Sequence, residues 1–400
     1  MKNLEFLEIL KKGDNVLIYN RETNGSLMIT PYMYEAVQDA TSIEDIKRIA
    51  NEYDEAGQEY FTVLLKHLEE QCIFERRIPD GIDMMSFAIT DKCNLYCTHC
   101  CYSANLYKPA VDGRITADME VVKQVVQLKP RGLSITGGEP LLVANLDEVL
   151  AYFKENFHGI LGLATNATKI TEENAAKLID SFSIFDISID GINEVGCDAI
   201  RGKGTYKRVM EAIKVLQAHG ADKIILSMVV DNETEKYTDD FIQMCKDMGV
   251  EPKIRGISLI GRAKDNHSTD SESVIHFTSG SLTNIYSAYD CPGGTSELFV
   301  DHQGNVYPCP MFNESQYQIG TVFDHDLSDK MKWDKSLPWF RAFSEYIPNQ
   351  REECADGDVK AFCWNCPSLA KAYLDNNNLT SFKGVCGQKY QQIVSAIRDA

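Results

Sequence analysis

The sequence is short of positive charge. Its 400 residues include 40 lysines and arginines against 59 aspartates and glutamates, which gives a formal net charge of -19 at pH 7. A protein that holds duplex nucleic acid neutralises the phosphates with a basic surface. We therefore expect no nucleic-acid partner.

Long apolar runs are also missing. Charged residues interrupt every apolar stretch of the opening segment, MKNLEFLEILKKGDNVLIYN, so it has the pattern of neither a secretion signal nor an anchor. The longest apolar runs, such as IILSMVV at 224–230, have the length of a strand and are far shorter than a membrane span. We expect a cytoplasmic protein without a membrane partner.

What the sequence does contain is the composition of a soluble globular protein, with 44% apolar and 25% charged residues. A chain of 400 residues is too long for one ordinary core, so we expect two or three domains. Its thirteen cysteines are odd in number and clustered. Because disulfides are rare in a reducing cytosol, these cysteines indicate metal or redox chemistry.

Residues 1–80 are predicted to form a small separate unit. NVLIY (15–19) and SLMIT (26–30) are typical of two strands, and Ser42 is a plausible N-cap for the helix that follows. A second helix is indicated by apolar residues at helical spacing, namely Phe61, Leu64, Leu65, Leu68 and Cys72. Two strands with helices predict a winged-helix-like module, in which Cys72 is a core residue.

Residues 81–262 alternate between predicted strands and helices. The six strands are SFAIT, GLSIT, ILGLAT, IFDISID, KIILSMVV and KIRGISLIG. Such alternation implies a parallel sheet with right-handed crossovers. Six units are too few for an eight-stranded barrel, so the predicted fold is α/β, a partial (β/α)6 barrel of the TIM type with its ligands at the C-terminal strand ends. Residues 263–290 are predicted to be a linker or lid, and residues 291–400 a cysteine-rich extension that contains a hairpin.

The segment TDKCNLYCTHCCYSAN (90–105) directly follows the first predicted strand of the barrel. Cys93, Cys97 and Cys100 have the spacing C-x3-C-x2-C. A structural zinc site would need a fourth ligand, which His99 or Cys101 could nominally supply, but residues adjacent to Cys100 reach the same metal poorly. Three thiolates on an iron–sulfur cubane would leave one iron open. Cys101 is then left over, and we expect a buried small residue, with a redox role towards the substrate as the alternative.

This cysteine spacing resembles the signature of the radical S-adenosylmethionine (SAM) superfamily. The resemblance implies that the three cysteines bind a [4Fe–4S] cluster whose fourth iron binds the amino and carboxylate groups of SAM. In that family an electron from the cluster cleaves SAM to methionine and a 5'-deoxyadenosyl radical, which abstracts a hydrogen atom from the substrate. An external electron donor of the flavodoxin or ferredoxin type is implied as a partner.

Further motifs are similar to those of the same family, in the same order. TGGEP (136–140) resembles its GGE motif, TNAT (165–168) and SIDG (188–191) its ribose-side motifs, and DAIRGKGTYKRVMEAI a segment of peptide-modifying members. His99 stands where an aromatic residue is usual, and Cys197 where histidine is common, so we interpret Cys197 as a buried apolar thiol. The resemblance implies that SAM contacts come from His99, Tyr102, Gly137, Gly138, Glu139, Asn166, Ser188, Asp190, Arg201 and Ser227. No catalytic acid–base dyad is visible.

The C-terminal cysteines resemble the SPASM extension of the same superfamily. Cys291, Gly304 and Cys309 fit its C-x(9–15)-G-x4-C element, while its usual C-x2-C-x5-C-x3-C run is absent. The resemblance implies one or two auxiliary [4Fe–4S] clusters, of which the one-cluster form is called a twitch domain. Six candidate ligands cannot fill two cubanes, so either two cysteines are spare or an iron is open, and structural zinc is a further alternative. The candidate ligands are Cys291, Cys309, Cys354, Cys363, Cys366 and Cys386.

A winged-helix-like module before such a core resembles the PqqD-like leader-recognition element of enzymes that modify ribosomally made peptides. The resemblance implies a precursor peptide as partner, whose leader adds a strand at either NVLIY or SLMIT. The expected function is a peptide maturase that forms a thioether, or alternatively a carbon–carbon cross-link. Two other hypotheses remain open: a maturase of the sulfatase type, which oxidises an active-site residue of a folded protein, and a zinc or iron–sulfur redox or peptide-binding scaffold without enzyme activity.

Overall fold

The computed structural model describes residues 1–75 apart from 5, 13, 21, 22 and 24, residues 81–266 apart from 232, residues 291–347 and 366–375, and the single positions 380, 383 and 387. Most of the predicted linker lies outside the described residues. So do three of the candidate cluster ligands, Cys354, Cys363 and Cys386.

The N-terminal unit contains a three-stranded antiparallel sheet of order β1-β2-β3. Its strands are β1 (Leu7–Lys12), β2 (Asn15–Asn20) and β3 (Ser26–Ile29). The prediction of two strands missed β1, because the alternation of apolar and charged residues in LEILKK is too short to stand out. β2 pairs on both sides, so NVLIY was wrong as a candidate edge strand, and only SLMIT of the two candidates lies at an edge.

Three helices complete this unit: α1 (Pro31–Val37), α2 (Ile43–Ala50) and α3 (Glu55–Glu70). The Ser42 side chain caps α2 by accepting a hydrogen bond from the Asp45 amide at 3.2 Å. The expected apolar face of α3 is buried at Phe61, Leu64 and Leu68. Cys72 was wrongly expected in the core: it is half-buried with a φ of 48°, and its neighbour Ile73 fills the core instead.

The predicted α/β partial barrel is present as six parallel strands in the order β11-β10-β9-β8-β7-β4. These strands are β4 (Met84–Ala88), β7 (Gly132–Thr136), β8 (Ile160–Thr165), β9 (Ile184–Ser188), β10 (Ile224–Val230) and β11 (Glu251–Gly256). A short parallel pair, β5 (Lys92–Cys93) with β6 (Asn105–Leu106), lies after the first strand. Each barrel strand alternates between two faces, so that in β10 Leu226, Met228 and Val230 are buried in the core while Val229 lines the interior cavity.

Helices lie between the strands, as the alternating pattern predicted. They are α4 (Pro109–Asp112), α5 (Met119–Gln127), α6 (Leu146–Asn156), α7 (Glu172–Ser181), α8 (Glu194–Arg201), α9 (Thr205–Ala218), α10 (Thr238–Met248) and α11 (Arg262–Asn266). The sequence did not indicate α8 or α11 as helices, since both are short. These two helices nevertheless carry Arg201 and Arg262, which both line the interior cavity.

The C-terminal extension continues the barrel sheet rather than forming a sheet of its own. The predicted hairpin is present as β12 (Glu297–Val300) and β13 (Asn305–Tyr307), with β14 (Gly320–Thr321) added to it. β12 pairs in parallel with β4, the first barrel strand, so nine strands form one sheet instead of the six expected. The remaining described helices are α12 (Leu327–Lys330), α13 (Pro338–Ser344) and α14 (Pro367–Leu374).

Within the described residues, no helix has both the length and the apolar character needed to cross a membrane.

The barrel core generates a stability prediction. Phe185 of β9 is 1% exposed and packs edge-on against Phe182 with ring centroids 6.2 Å apart. Replacing Phe185 with alanine leaves a cavity, so the free energy of unfolding of the barrel should fall by about 3 to 5 kcal/mol. Urea denaturation measures this. Val195→Ala, at a site 82% exposed, should change it by less than about 0.5 kcal/mol. Equal effects of the two variants would contradict the described core.

Candidate active site

Residues 90–105, called the cysteine loop below, follow the end of β4. Backbone hydrogen bonds join the two ends of this loop. The Tyr107 amide donates to the Cys93 carbonyl at 2.7 Å, and the Asn105 amide donates to the Asp91 carbonyl at 2.8 Å. Between these points the chain has little regular structure, and its thiols turn towards the barrel interior. Cys93 and Cys97 are buried and Cys100 is half-buried.

All three cysteines line one cavity of about 300 Å³ at the C-terminal ends of the barrel strands. This volume is at the lower end of the range for small-molecule sites. The position is the one that a parallel barrel dictates for its ligands. Seven of the ten predicted SAM contacts also line it, namely His99, Tyr102, Gly137, Gly138, Asn166, Ser188 and Arg201.

Hydrogen-bond donors point at two of the thiols. Cys93 Sγ accepts from the Leu95 amide at 3.4 Å and from Asn166 Nδ2 at 3.7 Å. Cys97 Sγ accepts from Arg201 Nη1 at 3.9 Å. Burial raises the pKa of Cys93 to about 12 and also raises that of Cys97, so the free thiols are protonated. A bound metal deprotonates its cysteine ligands, and these donors are what the resulting thiolates require.

The three thiols do not converge on a point. Among the residues that the structure describes, no three His, Cys, Asp or Glu side chains are placed to hold a single metal ion. The cysteines instead border a shared volume. This arrangement fits a ligand as large as a cubane better than it fits the zinc ion considered as an alternative.

The GGE turn packs directly on the first residues of the cysteine loop. The Gly138 amide donates to the Thr90 carbonyl and the Glu139 amide to the Lys92 carbonyl, both at 2.8 Å. A Cβ on Gly138 would lie 2.0 Å from the Lys92 carbonyl oxygen, so no other residue fits there. The two glycines therefore allow the two backbones to touch. Because they have no side chains, they also leave the adjoining cavity open.

The structure gives Glu139 a different position from the one expected. Its carboxylate is fully buried and accepts hydrogen bonds from the Leu141 amide, the Thr165 hydroxyl and the Asn166 amide, at 3.0, 2.7 and 2.8 Å. Burial raises the pKa of Glu139, although these donors oppose the rise. Glu139 is not among the residues that line the cavity. It ties the ends of β7 and β8 together, and its predicted contact with the SAM ammonium stays a prediction.

Asp190 is likewise held behind the cavity wall. It is 1% exposed, and its carboxylate pairs with Arg201 Nε at 2.5 Å and with His99 Nε2 at 3.0 Å, while the Val229 amide donates to it at 2.8 Å. Burial alone would raise its pKa, but Arg201 and His99 outweigh burial and the pKa is lowered. Asp190 therefore orients two predicted SAM contacts and is not itself a lining residue.

A charged network that the sequence did not reveal connects the last three barrel strands. Asp186 accepts hydrogen bonds from Ser227 Oγ at 2.5 Å, from Lys253 Nζ at 2.8 Å and from Arg255 Nη2 at 3.0 Å. Asp186 and Arg255 line the cavity, whereas Ser227, a predicted SAM contact, does not. The signal was available in principle, because all four residues alternate with apolar residues along their strands and must face inward.

The auxiliary cysteines that the structure describes lie in the C-terminal extension. Cys291 and Cys309 are half-buried, and Cys366 is exposed at the start of α14. Burial raises the pKa of Cys309 well above its usual value, and Cys291 and Cys366 raise it further, so the three thiols lie within electrostatic reach of one another. Met311, two residues after Cys309, lines the main cavity. The segment that follows Cys309 thus borders the cavity that Cys93, Cys97 and Cys100 line.

Two thiols, Cys197 and Cys101, are not assigned to a cluster. Cys197 is completely buried in the barrel core, as its interpretation as an apolar thiol requires, and burial raises its pKa to about 11. Cys101 was expected to be buried, but it is half-buried and borders the cavity beside Cys100, and partial burial raises the pKa of its thiol to about 11. Neither has the lowered pKa of a reactive cysteine.

Comparison with known proteins identifies the class. Residues 87–245 match the Radical SAM superfamily, and the fold and the cysteine-lined cavity agree with that match. The matched segment is a radical SAM domain, and the chain is an enzyme with SAM and [4Fe–4S] clusters as its cofactors. Residues 291–367 match SPASM, an iron-sulfur cluster-binding domain. More particularly, it is a SPASM-containing radical SAM enzyme.

Curated relatives and solved structures support the same architecture. The mycofactocin maturase of Mycobacterium ulcerans is 26% identical over 314 residues, 71% of this chain and 82% of the relative. The structure of anSMEcpe with bound AdoMet and Kp18Cys peptide has a TM-score of 0.57 at 17% identity, and covers 79% of this chain and 100% of its own. SuiB of Streptococcus suis bound to its precursor peptide SuiA has a TM-score of 0.54 at 14% identity, and covers 90% and 94% of the two chains. At these identities the two solved structures show a common fold.

The buried ion pair predicts a strong effect of Asp190→Asn. The change leaves the buried Arg201 guanidinium without its counter-charge, so the free energy of unfolding at pH 7 should fall by about 3 to 5 kcal/mol. Because the folded-state pKa of Asp190 is lowered, its stabilisation is present above its unfolded pKa of about 3.9 and is lost only as the pH falls below that value. The loss should therefore be the same from about pH 6 to 8.

Urea denaturation of the cluster-free protein at these pH values measures the difference. The matched control is Asp180→Asn, which removes a carboxylate that pairs with Lys154 at 2.6 Å on the surface, and its effect should stay below about 1 kcal/mol. An equally small effect of Asp190→Asn would refute the buried pairing.

Proposed function

We propose that this enzyme modifies a ribosomally synthesised precursor peptide by hydrogen abstraction with the 5'-deoxyadenosyl radical. The observation that carries the proposal is the N-terminal sheet, which precedes the barrel and leaves β3 paired only with β2 among the described strands. A radical SAM core needs no such unit for SAM cleavage, whereas an unpaired strand edge is the standard means of adding a peptide strand.

The comparisons agree with a peptide substrate. The mycofactocin relative is named as a maturase, and SuiB is described with a bound precursor peptide. SuiB covers 90% of this chain, whereas anSMEcpe covers 79%. The larger share is what a counterpart of the N-terminal unit would give. We interpret residues 1–80 as a winged-helix-like leader-recognition module, with SLMIT as the strand that receives the leader.

We assign Cys93, Cys97 and Cys100 as the ligands of the [4Fe–4S] cluster that binds SAM. When bound, the cluster and SAM supply the reductive cleavage that generates the 5'-deoxyadenosyl radical, with electrons from a flavodoxin- or ferredoxin-type donor. Arg201, held by Asp190 and directed towards Cys97, is positioned to pair with the SAM carboxylate. Asn166 and Ser188 offer polar groups for the ribose, and the apolar walls exclude water.

The position of the auxiliary cysteines bears on which bond the enzyme forms in its substrate. Pro310 and Met311, which follow Cys309 directly, are part of the wall of the SAM cavity. A substrate residue in the cavity therefore lies beside the auxiliary cysteines. A peptide cysteine is the residue whose thiolate suits an open iron, so we favour a thioether from cysteine sulfur to carbon over a carbon–carbon cross-link.

Maturation of a folded protein, as in the sulfatase type, is the alternative substrate class. Such enzymes resemble the barrel and extension alone, and residues 1–75 would then be without a role. The N-terminal unit has its own core, including Ile18, Val37 and Phe61, and so is a substantial addition to the chain. We therefore place the peptide substrate first.

The ligand assignment predicts the effect of Cys97→Ala. Removing one of three thiolates should lower SAM cleavage in the absence of peptide by at least about 100-fold, since outer-shell changes alone cost 10- to 100-fold. The measurement is 5'-deoxyadenosine formed by anaerobically reconstituted protein with excess reductant. The matched control is Cys101→Ala, which removes the thiol next to Cys100 and should retain the native rate. Full cleavage by Cys97→Ala would overturn the assignment.

The leader hypothesis predicts that peptide recognition and SAM cleavage can be separated. A chain lacking residues 1–75 should cleave SAM without peptide at a rate within about twofold of the native protein, because the barrel has its own core. Its affinity for a precursor peptide encoded beside the gene should fall at least about tenfold, because the strand-pairing edge is gone. Calorimetry with full-length and leaderless peptides measures this. Unchanged affinity of the truncated chain for the full-length peptide would contradict the hypothesis.

A further inference from the structure

The segment after the last barrel strand also packs against the cysteine loop, although none of the sequence motifs includes this segment. Gly261 has a φ of 61°, and a Cβ there would lie 2.5 Å from the Cys101 carbonyl oxygen and 2.7 Å from that of Cys100. The Arg262 amide donates to the Cys100 carbonyl at 3.1 Å. The chain therefore turns from β11 into α11 with its backbone directly against the loop.

The Arg262 side chain forms hydrogen bonds with both limbs of the cysteine loop, the first at Cys97 and the second at Ala104. It is 8% exposed, its Nε donates to the Cys97 carbonyl at 3.0 Å, and its Nη1 donates to the Ala104 carbonyl at 2.7 Å. The guanidinium also lies 4.0 Å from the ring centroid of Tyr96. The planar fork of arginine makes both hydrogen bonds at once, which the single ammonium of lysine does not. One side chain thus fixes the distance between the two limbs.

The charge of Arg262 has no acidic partner among the residues that the structure describes. Its described partners are two carbonyl oxygens and an aromatic ring, with no carboxylate among them. The side chain also borders the cavity that the three thiols line. Its Nε lies 3.0 Å from the carbonyl oxygen of Cys97, so the positive charge is held next to a cysteine that is assigned as a cluster ligand.

We propose that Arg262 is a positioning residue of the cluster site, which holds the cysteine loop in its ligating conformation and raises the reduction potential of the bound cluster. Reduction adds negative charge to the cluster, and a fixed positive charge nearby favours the reduced form. The inference rests on the proposed assignment of Cys93, Cys97 and Cys100 as ligands. It adds a residue 162 positions beyond Cys100 to the determinants of that site.

The test compares Arg262→Gln with Lys264→Gln. Both variants remove one positive charge from α11, but Lys264 is exposed whereas Arg262 is buried. The full-length protein is reconstituted anaerobically, and its folding is checked by circular dichroism. Two quantities are measured: the midpoint potential of the EPR signal that changes on addition of SAM, and the rate at which a chelator removes iron from that cluster.

For Arg262→Gln we expect a lower midpoint potential and iron loss about 10- to 100-fold faster, the scale on which outer-shell partners act at metal sites. Lys264→Gln should match the native protein in both. Arg262→Lys keeps the charge but not the fork, so its potential should stay near the native value while iron loss is faster. This variant decides the positioning role if Arg262→Gln does not fold.

Iron loss and potential in Arg262→Gln that equal those of Lys264→Gln would overturn the proposal, as would native iron retention in Arg262→Lys. The Cys97→Ala variant separates this failure from that of the ligand assignment. If Cys97→Ala loses the SAM-responsive signal while Arg262→Gln is native, only the role of Arg262 is wrong. If Cys97→Ala keeps the signal, the ligand assignment itself fails.

Discussion

The site depends on the contacts that hold the irregular cysteine loop in place, which come from residues near the ends of several barrel strands. Between β5 and β6 the cysteine loop has little secondary structure, so its own hydrogen bonds cannot set the positions of three thiols. Gly138 contacts its start through the backbone, Asn166 donates to Cys93, and Arg201 donates to Cys97. The parallel sheet makes this possible, because it gathers the C-terminal ends of strands far apart in sequence around one cavity.

Charge is distributed very unevenly between the surface and the cavity. The chain as a whole carries a formal charge of -19, yet the cavity is lined by Arg201, Arg255 and Arg262. Asp190 neutralises the first and Asp186 the second, while the partners of Arg262 among the described residues are carbonyl oxygens and a ring. Such an environment suits a thiolate-ligated cluster and the carboxylate of SAM, because both bring negative charge into a partly buried site. The net charge led us to expect no nucleic-acid partner, but it gave no information about the cavity.

The extension is part of the same structure as the barrel. β12 adds to the first barrel strand, which places Phe299 on the cavity wall beside Tyr102, with ring centroids 5.8 Å apart. Pro310 and Met311 complete that wall close to the auxiliary cysteines. The barrel motifs and the C-terminal extension, which are separate in sequence, therefore both contribute residues to one cavity.

Local patterns in the sequence were sufficient for the class of protein, the six barrel strands and the three cysteines that border the cavity. Each depends on short-range spacing: C-x3-C-x2-C within eight residues, or alternating apolar runs between helices. The positions of Glu139 and Asp190 away from the cavity lining, the pairing of Ser227 with Asp186, the joining of β12 to β4, and the contact of Arg262 with the cysteine loop were decided only by the tertiary structure. These features arise from contacts between distant segments, such as Arg262 with Cys97, and no local pattern records which strand ends will meet once the sheet has closed.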